Sequence, residues 1–177
     1  MTLSQSGIGW LKGYLTALAM ADVTVYDEYL LKGGVSEHEA AMQRRAAELL
    51  PEHVPRVIAY DAVNKDMEME RLPGCTLAYM YGNDCSEIPA WVWAECRRLV
   101  RTLYEGGVVY PDITSYNFMI EPETGKIWIV DFEHCTTREP GPFAAAGGDG
   151  ARAPGEQWFV REFLTGDSGD VWNEDFA

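Results

Sequence analysis

The sequence predicts an α+β fold in two lobes, and three observations carry that expectation. Short β-prone runs fill the chain as far as Leu72, interrupted by a single helix with its own cap signal. A Pro73-Gly74 pair then marks a change of direction. Beyond it, one long amphipathic pattern leads into an apolar strand-turn-strand segment. Residues 1–74 would make an N-lobe of a small antiparallel sheet plus one helix, and 75–177 a reduced, mainly helical C-lobe carrying the hairpin. With 177 residues, 47% of them apolar or aromatic, the chain can bury one substantial core or two small lobes, but not a third domain.

Each element has its own local reason. Val23–Tyr26 and Tyr29–Lys32 are β-prone runs joined by Asp27-Glu28 and stopped by Gly33-Gly34. Ser36 offers an N-cap with Glu39 three residues on, a capping-box arrangement, for a helix running through Met42 and Ala46 to Leu50, with Pro51 beyond. Val54–Tyr60 and Met67–Leu72 read as two further strands. Pro89 can open a helix whose Val92, Cys96, Leu99, Val100 and Leu103 share one face, ending at Gly106-Gly107. Phe118–Ile120 and Lys126–Val130 flank a Pro122-Glu-Thr-Gly125 turn. The rest is loop-like until Gly155, after which Gln157–Leu164 suits one short helix.

Composition excludes several functions. A net charge of -14, from 28 acidic against 14 basic residues, is wrong for a nucleic-acid surface, which needs clustered Lys and Arg. Any bound phosphate must be neutralised locally. Cys75, Cys85, Cys96 and Cys135 form no C-x-x-C pair, so a reduced, cytoplasmic setting is expected. The small apolar run Tyr14–Ala21 is short for a signal-peptide core and is preceded only by Lys12. No run approaches membrane-spanning length, so no membrane partner is expected. Ala144–Gly150 is the low-complexity patch.

The chemistry concentrates in Asp112, Asn117 and Asp131. The turn centre at 122–125 lies almost midway between Asn117 and Asp131, so a hairpin with equal legs would return both side chains to one open end, close enough to hold one cation. Asp112 would arrive from the preceding loop. Magnesium fits such a pair, because it takes hard oxygen ligands and leaves positions for phosphate oxygens and water. Singly, each feature has a plainer reading: a D-x-x-x-x-N string arises by chance, an Asp at a strand end is often a turn residue, and a Lys near a helical Glu is usually a solvated pair.

Taken in order, these parts resemble the protein-kinase-like superfamily, which includes the aminoglycoside and choline kinases; the likeness spans roughly residues 23 to 135. It implies a two-lobed protein-kinase-like fold using ATP and Mg2+. It implies that Lys32, paired with Glu39, holds the α and β phosphates, and that Met69, Glu70, Arg71 and Leu72 form the hinge that takes the adenine. By the same resemblance Asp112 orients or deprotonates the acceptor hydroxyl, while Asn117 and Asp131 are the metal ligands. The loop Asp112–Asn117, with Thr114 where many protein kinases have lysine, resembles RIO-type kinases and the kinase of the tRNA-threonylcarbamoylation complex. Asp131-Phe-Glu133, with glutamate in place of the usual glycine, looks like choline and antibiotic kinases. Tyr110-Pro111 stands where protein kinases have His-Arg, so control by an activation-loop phosphate is not expected.

Two departures bear on function. Gly7, Gly9 and Gly13 are too far from Lys32 to be the glycine-rich loop, and only 44 residues follow Glu133. The second suggests that a protein partner or a second copy completes the substrate site. The expected activity is γ-phosphate transfer to a hydroxyl, with protein Ser/Thr slightly ahead of a small molecule. A pseudokinase acting as a nucleotide-binding or scaffold module is the alternative. Remaining residues have structural readings. Glu37 is a poorer partner for Lys32 than Glu39, Lys126 is an exposed hairpin residue, and His134 and Cys135 fill a loop. Trp91, Trp93, Trp128, Trp158 and Trp172 are packing anchors, and the acidic stretch Asp167–Asp175 is a solvated face.

Overall fold

The computed structural model describes residues 23–82, 84–143, 158–173 and 175. Gly7, Gly9, Gly13, Tyr14–Ala21 and Ala144–Gly150 lie outside them. The architecture is mixed, with antiparallel sheets and four α-helices among the described residues.

The first sheet takes the order β1-β2-β4-β3 from β1 (Val23–Val25), β2 (Tyr29–Lys32), β3 (Val57–Asp61) and β4 (Asp66–Glu70). Pairing Lys32 with Val23 and Met67 fixes its register. Both later strands are shorter than their β-prone runs. The stretch Pro51–Val54 is a turn whose Val54 is buried in the core, and Pro55 cannot donate to a ladder, so β3 begins at Val57. At the other end β4 stops at Glu70, ahead of Pro73.

Helix α1 (Glu37–Leu49) starts where the Ser36 signal places it, with the Ser36 hydroxyl accepting from the Glu39 N–H at 3.0 Å. Such a cap is worth about 1 kcal/mol. Only that half of the expected box is made, since the Glu39 carboxylate bonds Lys32 instead.

At Gly74 the chain turns with φ +97°, and a Cβ there would lie 2.1 Å from the Ile120 carbonyl oxygen, so only glycine fits this crossing. Two short elements follow that the sequence reading missed: β5 (Cys75–Thr76) and α2 (Leu77–Tyr81), capped by Thr76. Helix α3 (Ala90–Glu105) buries Val92, Cys96, Leu99, Val100 and Leu103, as its periodicity requires, and also Trp93 and Tyr104. Strands β6 (Val108–Val109) and β9 (Thr136–Thr137) pair with each other, so the segment after Glu133 is not wholly loop. Helix α4 (Trp158–Thr165) packs Phe159, Val160, Phe163 and Leu164 into the core.

The hairpin of β7 (Phe118–Glu121) and β8 (Lys126–Ile129) pairs Phe118 with Ile129 and Glu121 with Lys126. It is buried on both faces. Phe118, Ile120, Ile127 and Ile129 point into the larger core around α3 and α4. Met119 and Trp128 point into the smaller core with Leu30, Val35, Ala40, Met67, Met69 and Leu72. Period-two alternation therefore seats the hairpin, and its open end, at the seam of the two cores. Of the tryptophans expected as anchors, Trp93, Trp128 and Trp172 are buried. Trp91 and Trp158 are half exposed, because each stands at the start of its helix on the outer side.

Candidate active site

Lys32 ends β2 in the smaller core's sheet, and its ammonium lies 2.6 Å from Glu39 Oε1 on α1 and 3.1 Å from Asp131 Oδ1 just past β8. Three elements thus converge on one cation, the last of them 99 residues away in sequence. Lys32, at 11% exposure, and Glu39, at 4%, are largely buried, and Asp131 is 28% exposed. Burial works to strip the Lys32 proton, but Asp131 and Glu39 outweigh it and hold the ammonium above the ordinary lysine value. Burial also pushes Glu39 upward, against the pull of Lys32. The two shifts oppose each other across one contact. The ammonium flanked by two carboxylates governs, and the pair stays ionic at neutral pH.

Asp131 adopts φ +64°, the left-handed region that Asp and Asn tolerate better than most residues. The loop that follows is tied to α1 a second time, His38 Nε2 donating to the Cys135 carbonyl at 2.7 Å. His134 pairs with Glu133 at 3.0 Å and Cys135 is buried.

The hairpin brings Asn117 and Asp131 to its open end, where the Val130 N–H donates to the Asn117 carbonyl at 3.0 Å. Asn117 Nδ2 donates to the backbone carbonyl of Asp112 at 3.2 Å. Tyr110, fully buried between Phe118 and Phe132, donates its hydroxyl to the Val130 carbonyl at 2.7 Å.

The 111–117 loop is a tight one. The Ile113 N–H bonds the Pro111 carbonyl and the Thr114 N–H the Asp112 carbonyl, two successive three-residue turns about Asp112. The Ala78 N–H of α2 donates to Ser115 O at 2.9 Å, bracing the loop from below. Asp112 is partly buried, and one carboxylate oxygen, Oδ1, is fully enclosed with no hydrogen-bond partner. Burial raises its pKa to about 6, Asn117 drawing it part of the way back while Asp131 and Glu133 add to the rise.

Of the residues expected to form the hinge, Met69 and Glu70 end β4 and Arg71 and Leu72 follow it. Met69 and Leu72 are buried in the smaller core beside Met119 and Trp128, and Gln43 Nε2 lies 3.6 Å from the Met69 sulfur. Glu70 accepts from the Arg56 N–H, and Arg71 reaches back to the carbonyls of Tyr26 and Asp27. Among the described residues no three His, Cys, Asp or Glu side chains cluster as a metal cage. The donors at the hairpin's open end are one carboxylate and one amide oxygen. That set suits a cation which completes its shell with phosphate and water.

Sequence reasoning missed Asn173. It lies in the acidic stretch read as a solvated face, yet it is 3% exposed and its amide donates to the Pro111 carbonyl at 2.9 Å. No pattern in the sequence marks it.

No protein-family model matches the chain. A curated relative, the 3-deoxy-D-manno-octulosonic acid kinase of Vibrio parahaemolyticus, is 27% identical over 95 residues, 50% of this chain and 39% of its own length. Among solved structures, the complex of Rv3197 with erythromycin from Mycobacterium tuberculosis aligns with TM-score 0.47 and 26% identity, over 60% of this chain and 28% of that one. The bifunctional kinase-methyltransferase WbdD aligns with TM-score 0.46 and 17% identity, over 74% of this chain and 33% of its own. The chain therefore spans about two fifths of the curated relative and about a third of the solved chains. No helix among the described residues is long and apolar enough to cross a membrane, and the four cysteines are free.

Proposed function

We propose that the chain is a kinase-like phosphotransferase that passes the γ-phosphate of ATP to a hydroxyl, with a carbohydrate or sugar acid as the acceptor class. The observation that carries the reading is the Lys32 ammonium held between Glu39 and Asp131 at the open end of the hairpin. The name of the curated relative, a sugar-acid kinase, favours a small-molecule hydroxyl over the protein Ser/Thr acceptor that the sequence put slightly ahead.

On this reading residues 1–74 form the nucleotide-binding lobe, and Gly74 is the crossing into the lobe 75–177. Phosphoryl transfer asks the protein mainly for position and charge, since its transition state is loose. Lys32 gives a fixed positive charge for the α and β phosphates, and Glu39 holds it extended. The strand-end segment Met69–Leu72 takes the adenine. Asp131 and Asn117 would hold Mg2+, which supplies positive charge to the phosphate oxygens. Asp112 accepts a hydrogen bond from the acceptor hydroxyl and takes up its proton as the hydroxyl oxygen bonds the γ-phosphorus and ADP leaves.

The test is transfer of labelled γ-phosphate from Mg-ATP by the purified chain to 3-deoxy-D-manno-octulosonic acid, to other sugars and to generic proteins, alongside thermal melting. Label on a sugar hydroxyl is the expected result. A raised melting midpoint with no transfer to any acceptor would support the pseudokinase alternative, and no shift at millimolar Mg-ATP would remove both.

A further inference from the structure

Two asparagines hold the peptide groups on either side of Asp112. Asn117 Nδ2 takes the Asp112 carbonyl, and Asn173 Nδ2 takes the Pro111 carbonyl. The backbone N–H of Asn173 also donates to the Ile113 carbonyl at 2.9 Å. One residue, 62 positions away in sequence, therefore clasps the loop before and after Asp112.

The clasp stands on a built foundation. Trp172, beside it, is buried with its ring 4.3 Å from that of Trp93 on α3 and 5.9 Å from that of Phe118 on β7. Arg97 on α3 donates to the Gly169 carbonyl at 2.6 Å and to Asp170 Oδ1 at 2.8 Å, while its guanidinium covers the Phe163 ring. The segment 169–173 is thus anchored on α3. A buried amide in such a place is costly unless bonded, and Asn173 directs its side-chain amide and its backbone N–H to one short loop.

We propose that Asn173 is a positioning residue: by fixing the carbonyls of Pro111 and Ile113 it sets where the Asp112 carboxylate meets the acceptor. The inference rests on the phosphotransferase reading above. The loop's own bonds, from the Ile113, Thr114 and Asn117 N–H groups, close it only on itself, and the pair from Asn173 ties the peptide groups flanking Asp112 to the segment 169–173. Nucleotide contacts at Lys32 and Met69–Leu72 lie on other elements and are untouched by it.

The variants are N173A and N173D, the second nearly isosteric but with a carboxylate that cannot donate to Pro111. Both should lower kcat for Mg-ATP-dependent transfer, or for ATP hydrolysis with water as the acceptor, by about tenfold or more, with KM for Mg-ATP held within about twofold. In a D112N background the same changes should cost nothing further, because a residue acting through Asp112 has nothing left to position. Hydrogen exchange should rise across 110–117 and remain level elsewhere.

An unchanged kcat in an active wild-type background would overturn the proposal and leave the function intact. So would an equal loss in the D112N background, or a loss of protection throughout the chain in both variants. A wild-type chain that neither binds nor turns over Mg-ATP would instead overturn the function, and this inference with it.

Discussion

Asp112→Asn should make the protein more stable and less active, and the size of the first effect follows from the structure. Burial lifts the Asp112 carboxyl from 3.8 to about 6. At about 1.4 kcal/mol per pH unit this is a cost of up to roughly 3 kcal/mol for ionising it in the folded state, which partial exposure and solvent screening reduce to about 1–2 kcal/mol. The sign is that of a folded state that holds its proton more tightly than the unfolded chain. The contribution of Asp112 to stability is full below pH 3.8 and is lost as pH rises through about 6. Asparagine has no such loss. Melts in metal-free buffer from pH 4 to pH 8 should show the variant level with wild type at the acid end. At pH 7 it should be ahead by roughly 3–6 °C. Transfer should meanwhile fall by about 100-fold or more, the usual effect of losing a general base. A variant no more stable than wild type at pH 7, or one whose advantage is the same at pH 4, would refute the account of Asp112.

Other outcomes follow from the same geometry. Wild-type turnover should decline as pH falls through about 6, where Asp112 takes up its proton, and a pH–rate profile measures it. Asp131→Asn keeps a residue suited to φ +64°, so it should abolish transfer while changing folding free energy by only about 1 kcal/mol in urea unfolding. Lys32→Met leaves Glu39 and Asp131 facing each other without their cation; it should cost about 2–4 kcal/mol and erase the midpoint shift given by Mg-ATP. Gly74→Ala should cost about 2–4 kcal/mol, because its Cβ meets the Ile120 carbonyl oxygen and its φ is positive, read out as a fall in melting temperature.

What was legible in the sequence was whatever obeyed a local period or a paired spacing. The capped helix, the Val92–Leu103 stripe and the equal-legged hairpin each announce themselves within a dozen or so residues, and the structure has all three. The approach of Lys32 to Glu39 was implied by the kinase-like resemblance, and the structure places the two in contact. Pairs such as β6 with β9 were not legible, because two-residue strands carry no alternation and their partners lie far apart in sequence. The half-made capping box illustrates a tertiary override: the pattern at Ser36 and Glu39 is real, but a buried ammonium outbids a backbone N–H for the carboxylate. Asn173 was invisible for a similar reason. An asparagine among acidic residues reads as solvent-facing, and only the long-range packing of Trp172 carries it inside.

The double attachment of α1, through Glu39 to Lys32 and through His38 to the Cys135 carbonyl, makes the helix and the segment beginning at Asp131 a single lever. Neither can swing outward alone without breaking a bond at Lys32 or at Cys135. Displacement of that helix, by whatever agent, would therefore pull at once on the lysine that Asp131 also holds and on the loop at Cys135.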